Sequence, residues 1–396
     1  MIIQRFRPRF SGQGVQLEAL VRELAVQGAE TTIYTAAPRG TRSAVEICAG
    51  YTIRRLPVHL LPGGVLWMPI FAVRVLLALW RDRPDVVHVH TLTDGLYSAW
   101  VYGRLRGVPV IFEMTLIGDD DPLSVRANPA RPRALRWRMF RSCDGYVAMS
   151  PAFLDPYRQA ALPAARLRLI PQGVDTARFR LRDEPHRLQI RRQLTLDDDA
   201  ELVVFVGSLV RRKGIDILLR AWQTIHAQRP DAHLLLVGND TFASDDPNGD
   251  LLRHCLAELP PTAGTHVHRL GIRSDTEAIV GASDVFVLPT RREGFGSAII
   301  EAMACSLPCV VTELHGITDF IFAAPTSASL QADAETDGVV VTQENTDGVA
   351  TAVCRLLADP ALRRSLGRAA RARAVAGFEM SSIAASYLAY YDELRK

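Results

Sequence analysis

The chain has 396 residues, more than one hydrophobic core usually serves, so two domains of ordinary size are expected. Hydrophobic residues make up 48% and charged residues 22%, with a net charge of only +3. That balance excludes a disordered polyelectrolyte and a basic field of the size a nucleic acid needs, so no nucleic-acid partner is expected. The six cysteines are scattered; only Cys305 and Cys309 fall close together, with no second pair to complete a zinc site, and all six read as reduced, mostly buried thiols.

In chain order, Met1-Ile2-Ile3-Gln4-Arg5-Phe6 shows no apolar core before a cleavage site, so no signal peptide is expected and a cytoplasmic location follows as the default. Gly12 and Gly14 open a helical pattern over residues 15–27. Apolar runs at 31–34, 86–89, 108–112 and 145–149 alternate with longer amphipathic segments, which predicts a parallel, doubly wound α/β sheet. Residues 65–80 are apolar except Pro69 and Arg74 but fall short of the roughly 20 residues a spanning helix needs. They read as an interdomain or core helix, with a face resting on the inner side of a membrane as the alternative. Arg126, Arg131, Arg133, Arg136, Arg138 and Arg141 then crowd one acid-free segment around Trp137. Anionic lipid headgroups or a phosphorylated acceptor would be drawn to it, although a solvated loop and helix face is the plainer reading. Asp119-Asp120-Asp121 reads as a solvated acidic turn rather than a metal site, and no metal or other cofactor is expected.

Residues 171–199, with Pro171, Gly173 and Pro185 as breakers, read as a linker between a domain at 1–170 and a second at 200–379. The second domain shows its own strand series at 202–206, 233–237, 285–288, 308–311 and 339–341. Two Rossmann-like units facing a central cleft would put ligands beyond the carboxyl ends of the strands. The last helix, 380–394, carries Ile383, Tyr387, Leu388, Tyr391 and Leu394 at helical spacing and needs a surface to cover.

Two strand-end motifs carry the chemistry. The first is Gly207-Ser208-Leu209-Val210-Arg211-Arg212-Lys213-Gly214, between a strand and a helix over 215–228. Glycines let the backbone approach a diphosphate, the cations neutralise it, and the helix N-terminus adds its positive end. Lys213 stands out because the chain has only two lysines, Lys213 and Lys396, among 46 basic residues. Such usage suggests a site that wants a compact ammonium rather than a planar fork. The second motif runs from Glu293 through Gly294, Phe295, Gly296 and Ser297 to Glu301. Its glycines admit a ligand to the backbone, Ser297 is placed to cap the next helix, and the two carboxylates can hold hydroxyls at two points of one ligand.

These residues resemble the retaining GT-B glycosyltransferases of family 4, over nearly the whole chain. Glu293 to Glu301 is similar to that family's E-x7-E block, Gly207 to Gly214 to its phosphate loop, and Gly12 and Gly14 to its N-terminal glycine-rich loop. Ile170-Pro171-Gln172-Gly173-Val174-Asp175 resembles its linker motif, with Gln172 where asparagine is usual. The resemblance implies metal-independent transfer from a nucleotide sugar bound in the C-terminal domain to a glycan, lipid-linked or small-molecule acceptor in the N-terminal one, in cell-surface glycan or glycoconjugate synthesis. It implies that Lys213 and Arg212 neutralise the donor diphosphate, Glu293 contacts the transferred sugar and Glu301 the ribose. The amides of Phe295 to Ser297 would help hold the donor, with Gly271, Ile272 and Arg273 against the base and Gly14 towards the phosphates. It also implies that the final helix crosses back onto the N-terminal domain.

Two departures stand out. Ser208 replaces a frequent arginine, which shifts the phosphate burden to Arg211 or Arg212. Glu113-Met114-Thr115-Leu116 stands where many members carry an acceptor-side histidine, leaving Glu113, Asp119, Asp120 and His90 as candidate replacements. A catalytically weak nucleotide-sugar-binding protein and a GT-B epimerase are the alternatives. An NAD-dependent dehydrogenase is disfavoured, because no G-x-G-x-x-G follows a first strand with an acid about 20 residues on.

Overall fold

In the first part of the chain the strands are β1 Thr31–Ala36, β2 Ala44–Cys48, β3 Tyr51–Leu56, β4 Val87–His90, β5 Val110–Met114, β6 Gly145–Ala148 and β7 Leu167–Leu169. They belong to the computed structural model, which describes residues 1–8, 11–38, 44–58, 67–128, 133–239, 250–322, 339–341 and 343–396. The strands align as β2-β3-β1 and β4-β5-β6-β7, and Ile2 bridges the two sets through Tyr34 and Val89. The first three residues therefore stand inside the sheet: Ile2 N donates to His88 O at 2.8 Å and His90 N to Ile2 O at 2.9 Å. Every residue of β4, β5 and β6 is buried, as expected for parallel strands covered on both faces. β2 is antiparallel to β3 and largely exposed, which is why no apolar run marked it.

Helix α1, Gly12–Val26, divides its apolar face between two clusters. Leu17 and Val21 pack with Ile33 and Ile53, while Leu20 and Leu24 pack with Ile111, Val147, Ile383 and Tyr387. The last two come from the C-terminal helix Met380–Arg395, which belongs to this unit together with Met1–Gly173. Close approach there depends on Gly145, where a Cβ would meet the Tyr390 hydroxyl at 2.3 Å. That hydroxyl donates to Arg166 O at 2.6 Å and accepts from Tyr146 N at 3.1 Å.

The helices of this unit also include α2 Trp67–Asp82, α3 Gly95–Arg106 and α4 Arg133–Phe140. α2 covers the segment singled out as apolar; Phe71, Val75 and Leu79 are buried, and Val73, Leu77 and Trp80 are exposed. Among the described residues, no helix is long and apolar enough to cross a membrane. Arg131 and the side chain of Arg133 lie outside the described residues. The acidic triplet departs from the expected solvated turn, since only Asp119 is exposed while Asp120 and Asp121 are buried. The cause is loop closure: Asp120 accepts from Thr115 N, Thr115 Oγ1 and Leu116 N, and Asp121 caps the helix Pro122–Ala127.

The second unit, Val174–Glu379, has β8 Glu201–Val206, β9 Ala232–Val237, β10 Val267–Gly271, β11 Val285–Leu288, β12 Cys309–Thr312 and β13 Val339–Val341. Their order is β10-β9-β8-β11-β12-β13, every neighbouring pair parallel. Both units are thus Rossmann-like, as the alternating pattern predicted. β10 was not marked by an apolar run because this edge strand carries the adjacent polar residues His268 and Arg269 and none of its residues is buried.

The expected linker at 171–199 is divided. Pro171–Gly173 belong to the first unit, and the rest is built into the second through helix α5, Glu184–Gln193. Its charges are absorbed there, with Arg187 and Arg191 both reaching Asp284, at 2.8 and 3.1 Å. All six cysteines are free; Cys143, Cys255, Cys305 and Cys309 are buried, and Cys48 and Cys354 half-buried.

Candidate active site

β8 ends at Val206 and the chain turns at Gly207, passes a tight turn at Arg211–Lys213 and enters helix α6, Ile215–Gln228. Gly214 makes this possible with φ +74°, and a Cβ there would lie 1.8 Å from Pro289 O. The loop is therefore flush against the segment that follows β11. Arg291 N and Thr290 Oγ1 both donate to Arg212 O, at 2.8 and 3.1 Å, and Arg212 Nη1 donates to Arg292 O at 3.0 Å. Two motifs 80 residues apart in the chain become one surface.

At its centre Lys213 Nζ donates to Glu293 Oε1 at 2.5 Å, with Arg212 Nη1 3.8 Å from Glu293 Oε2. Both side chains are largely removed from solvent, at 15% and 7% exposure. Burial pushes the Glu293 carboxyl up, yet the charges of Lys213 and Arg212 outweigh it and hold the group below its ordinary range. Burial lowers the Lys213 ammonium, and Glu293 only partly offsets that. The pair is an ionised couple in a dry setting, where an anion brought to Lys213 would compete directly with Glu293.

Glu301 lies on helix α7, Ser297–Ala304, and its charge also reaches Lys213. The cap of that helix is Gly296 at φ +100°, with no side-chain cap bond, so Ser297 is the first helical residue rather than the expected cap. Phe295 turns its ring into the core against Phe320 and Phe378, which leaves only its backbone for a ligand. Gly294 is buried beside it. Gly207 N donates to Val237 O at 2.9 Å, fixing the loop to β9. Ile272 is exposed beyond Gly271, at the end of β10 and two strands from β8. Gly14 lies in the other unit, where its N–H is capped by Ser11 Oγ and a Cβ would press on that oxygen at 2.8 Å. Arg212, Lys213, Glu293 and Glu301 are thus brought together; Ile272 follows the end of β10 in the same sheet, and Gly14 belongs to the first unit.

One important residue was missed. Arg291 donates two hydrogen bonds to the Asp216 carboxylate, at 2.7 and 2.8 Å, reaches Glu344 and donates to Arg211 O at 2.5 Å. These bonds hold the Arg211–Lys213 turn to the Glu293 loop and raise the Arg291 guanidinium further. Arg291-Arg292 directly before Glu293 was the available signal.

In the first unit a pocket is lined by Gln13, Gln16, His90, Glu113, Thr115 and Gln172, with Tyr387 and apolar side chains completing it. Glu113 Oε2 lies 3.3 Å from His88 Nε2 and 3.3 Å from His90 Nδ1, and accepts from Tyr387 Oη at 2.9 Å. Burial pushes this carboxyl up, but the two imidazoles outweigh it and hold it well below the carboxylate range. Burial pushes His88 down to about 4. Among the described residues, these three side chains are also the one group whose possible metal-ligating atoms all lie within 4.8 Å of one another. Of the four candidate replacements for the acceptor-side histidine, Glu113 and His90 meet here, Asp120 is turned into its own loop and Asp119 is exposed.

The family model for Glycosyl transferases group 1 matches residues 186–373, and that for Glycosyltransferase Family 4 matches residues 10–178. The chain belongs to the group 1 glycosyltransferases. The D-inositol 3-phosphate glycosyltransferase of Pseudarthrobacter chlorophenolicus is 27% identical to this glycosyltransferase over 92% of the chain and 86% of the relative. A GDP-mannose-dependent alpha-(1-6)-phosphatidylinositol monomannoside mannosyltransferase of Mycolicibacterium smegmatis is 29% identical over 94% and 92%. Among solved structures, sucrose-phosphate synthase of Thermosynechococcus elongatus is similar with a TM-score of 0.77 and 25% identity, over 99% and 95% of the two chains. Anabaena Alr3699/HepE, solved with UDP and glucose, shares the fold with a TM-score of 0.74 at 17% identity, over 98% and 97%. The fold of this glycosyltransferase is GT-B. Of the cations left to cover for Ser208, Arg212 is half-buried beside Glu293, whereas Arg211 is exposed.

Proposed function

We propose that this glycosyltransferase takes a sugar from a nucleoside-diphosphate sugar bound by the second unit and passes it, without a metal ion and with retention of configuration, to a hydroxyl of a glycan, lipid-linked or small-molecule acceptor bound by the first. The observation that carries the reading is the buried Lys213–Glu293 couple with Arg212, at the junction of two strand-end loops. Loss of the diphosphate leaves negative charge on the leaving group while positive charge grows at the anomeric carbon. Fixed cations at the former and a carboxylate near the latter stabilise the transition state more than the ground state. In this scheme Lys213 and Arg212 hold the diphosphate, with the α6 N-terminus adding its dipole. Glu293 faces the transferred sugar and Glu301 the ribose. Gly207, Gly294, Gly296 and the amides of Phe295 and Ser297 hold the donor closely, Ile272 lies against the base, and Gly14 serves the phosphate side from the first unit. A nucleotide-sugar donor agrees with the GDP-mannose named for the mycobacterial relative and the UDP and glucose seen in HepE.

A peripheral contact with an anionic membrane, on its inner face, belongs to the same proposal. Val73, Leu77 and Trp80 are exposed on α2 and Leu105 on α3, with Arg81, Arg104 and Arg106 exposed in the same elements. Apolar side chains among arginines suit an interface rich in acidic headgroups. The enzyme's role would then lie in cell-surface glycan or glycoconjugate synthesis.

The test is calorimetry of the full chain against UDP, GDP, ADP and their sugar conjugates, repeated on Lys213→Ala. One nucleotide class should bind, and the variant should lose it. Binding of none, or equal binding by the variant, overturns the donor assignment; turnover of the donor sugar into its epimer without any acceptor would show an epimerase instead.

A further inference from the structure

The first unit's pocket contains a buried nitrogen with no hydrogen-bond partner among the described residues. His88 and His90 are two residues apart on β4 and so point to one side of the sheet, with their rings stacked 4.1 Å apart, and His90 pairs in register with Glu113 on β5. An ionised carboxylate only accepts hydrogen bonds, so an imidazole nitrogen facing it carries the proton. For His88 that nitrogen is Nε2, 3.3 Å from the carboxylate but not in hydrogen-bond geometry, while Nδ1 lies 2.8 Å from Tyr391 Oη, which can donate to it. For His90 it is Nδ1, so in the neutral imidazole Nε2 carries the lone pair across the ring. That Nε2 is buried without a hydrogen-bond partner among the described residues, and His90 lines the pocket. A buried acceptor without a partner is costly, so a ligand that donates to it gains what the free protein lacks.

Resting on the proposed transferase reading, we infer that His90 Nε2 is the hydrogen-bond acceptor for a hydroxyl of an uncharged polyol or sugar group of the acceptor substrate, with Glu113 and Tyr387 fixing the imidazole tautomer that makes it so. The rest of the polar lining agrees. Gln13, Gln16, Gln172 and Thr115 are neutral groups that both donate and accept, as hydroxyls do. Among the described residues no lysine or arginine lines the pocket, and Glu113 places a negative charge in its wall. A phosphate or carboxylate would be repelled there, whereas a neutral polyol meets a full set of partners. Tyr387 brings the C-terminal helix into the arrangement, so the last segment of the chain completes the pocket that the two strands begin.

The experiment uses the full chain with glycerol, myo-inositol and glucose as probes, each beside its monophosphate. Imidazole 15N NMR, with His90 assigned through His90→Gln, should show the Nδ1–H tautomer and a shift of Nε2 when a neutral probe binds. In transfer assays His90→Ala should raise KM for the neutral probe about tenfold, the worth of one good hydrogen bond. His90→Gln, whose amide oxygen also accepts, should recover part of that. Nucleotide affinity should be unchanged in both. The inference is overturned by an Nε2–H tautomer, by a monophosphate that binds this pocket better than its neutral parent, by an unchanged KM in His90→Ala, or by tight Zn2+ binding that His90→Ala abolishes. A wild-type protein that turns over no nucleotide sugar would count against the transferase reading alone, since the NMR measurement still decides whether His90 takes a polyol hydroxyl.

Discussion

The two units share an architecture and differ in how they treat charge. The second unit concentrates it: Lys213, Arg212, Glu293 and Glu301 meet where two loops are bonded backbone to side chain, and Arg291 with Asp216 adds a further ion pair beneath them. The first unit disperses it into neutral amides and hydroxyls around one carboxylate whose partners are two histidines and a tyrosine. A diphosphate needs fixed countercharge, and a hydroxyl needs oriented lone pairs and donors. Each unit's side chains suit one of those tasks and would serve the other poorly.

The largest effect that tests this contrast is loss of the countercharge. Lys213→Ala removes one charge-assisted bond to the donor and strands Glu293, and should weaken nucleotide binding by about 10- to 100-fold. Glu293→Ala should instead abolish transfer with nucleotide binding largely kept, and lower the melting temperature because the buried Lys213 loses its partner. If both variants turn over normally, the charged surface is not where transfer occurs. Next is the pair below it. Arg291→Met leaves the buried Asp216 with only the partly exposed Arg220, and should cost about 2 kcal/mol of stability, read from denaturant unfolding, with nucleotide affinity falling as the turn loosens.

A smaller effect belongs to the first unit and has a definite direction in pH. Burial depresses His88 to about 4 from an ordinary value of about 6.5. Below pH 6.5 the unfolded chain therefore takes up a proton that the folded chain refuses, and stability is lost progressively as pH falls from about 6.5 to about 4. Melting curves of His88→Asn should show a gap from wild type that narrows over that window. A gap independent of pH would mean that His88 titrates normally in the fold. The smallest expected change is at the surface, where Leu77→Asp on the exposed side of α2 should lower cosedimentation with phosphatidylserine vesicles several-fold without altering nucleotide binding.

How much of this was legible follows the same division. Gly207 to Gly214 and Glu293 to Glu301 are contiguous stretches in which residue type and position after a strand announce the chemistry, so the charged site could be read from the chain. Arg291 escaped because its importance lies in reaching Asp216 and Glu344, 75 and 53 residues away. Ser297 was misread as a cap because Gly296 takes the left-handed conformation that starts the helix. Asp120 and Asp121 were misread as solvated because a short acidic run on a loop usually is; here their oxygens close the loop on its own N–H groups.

The sequence by itself determined the alternation of strand and helix, the doubly wound class of both units and the charged strand-end motifs, because local periodicity and strand-end glycines are properties of short segments. Only the tertiary structure decided that Ile2 stands within the sheet, that residues 174–199 belong to the second unit, and that His88, His90 and Glu113 meet Tyr387 from the far end of the chain. Those outcomes depend on which distant segments pack together, and burial, register and hydrogen-bond completion settle that only once the whole chain is folded.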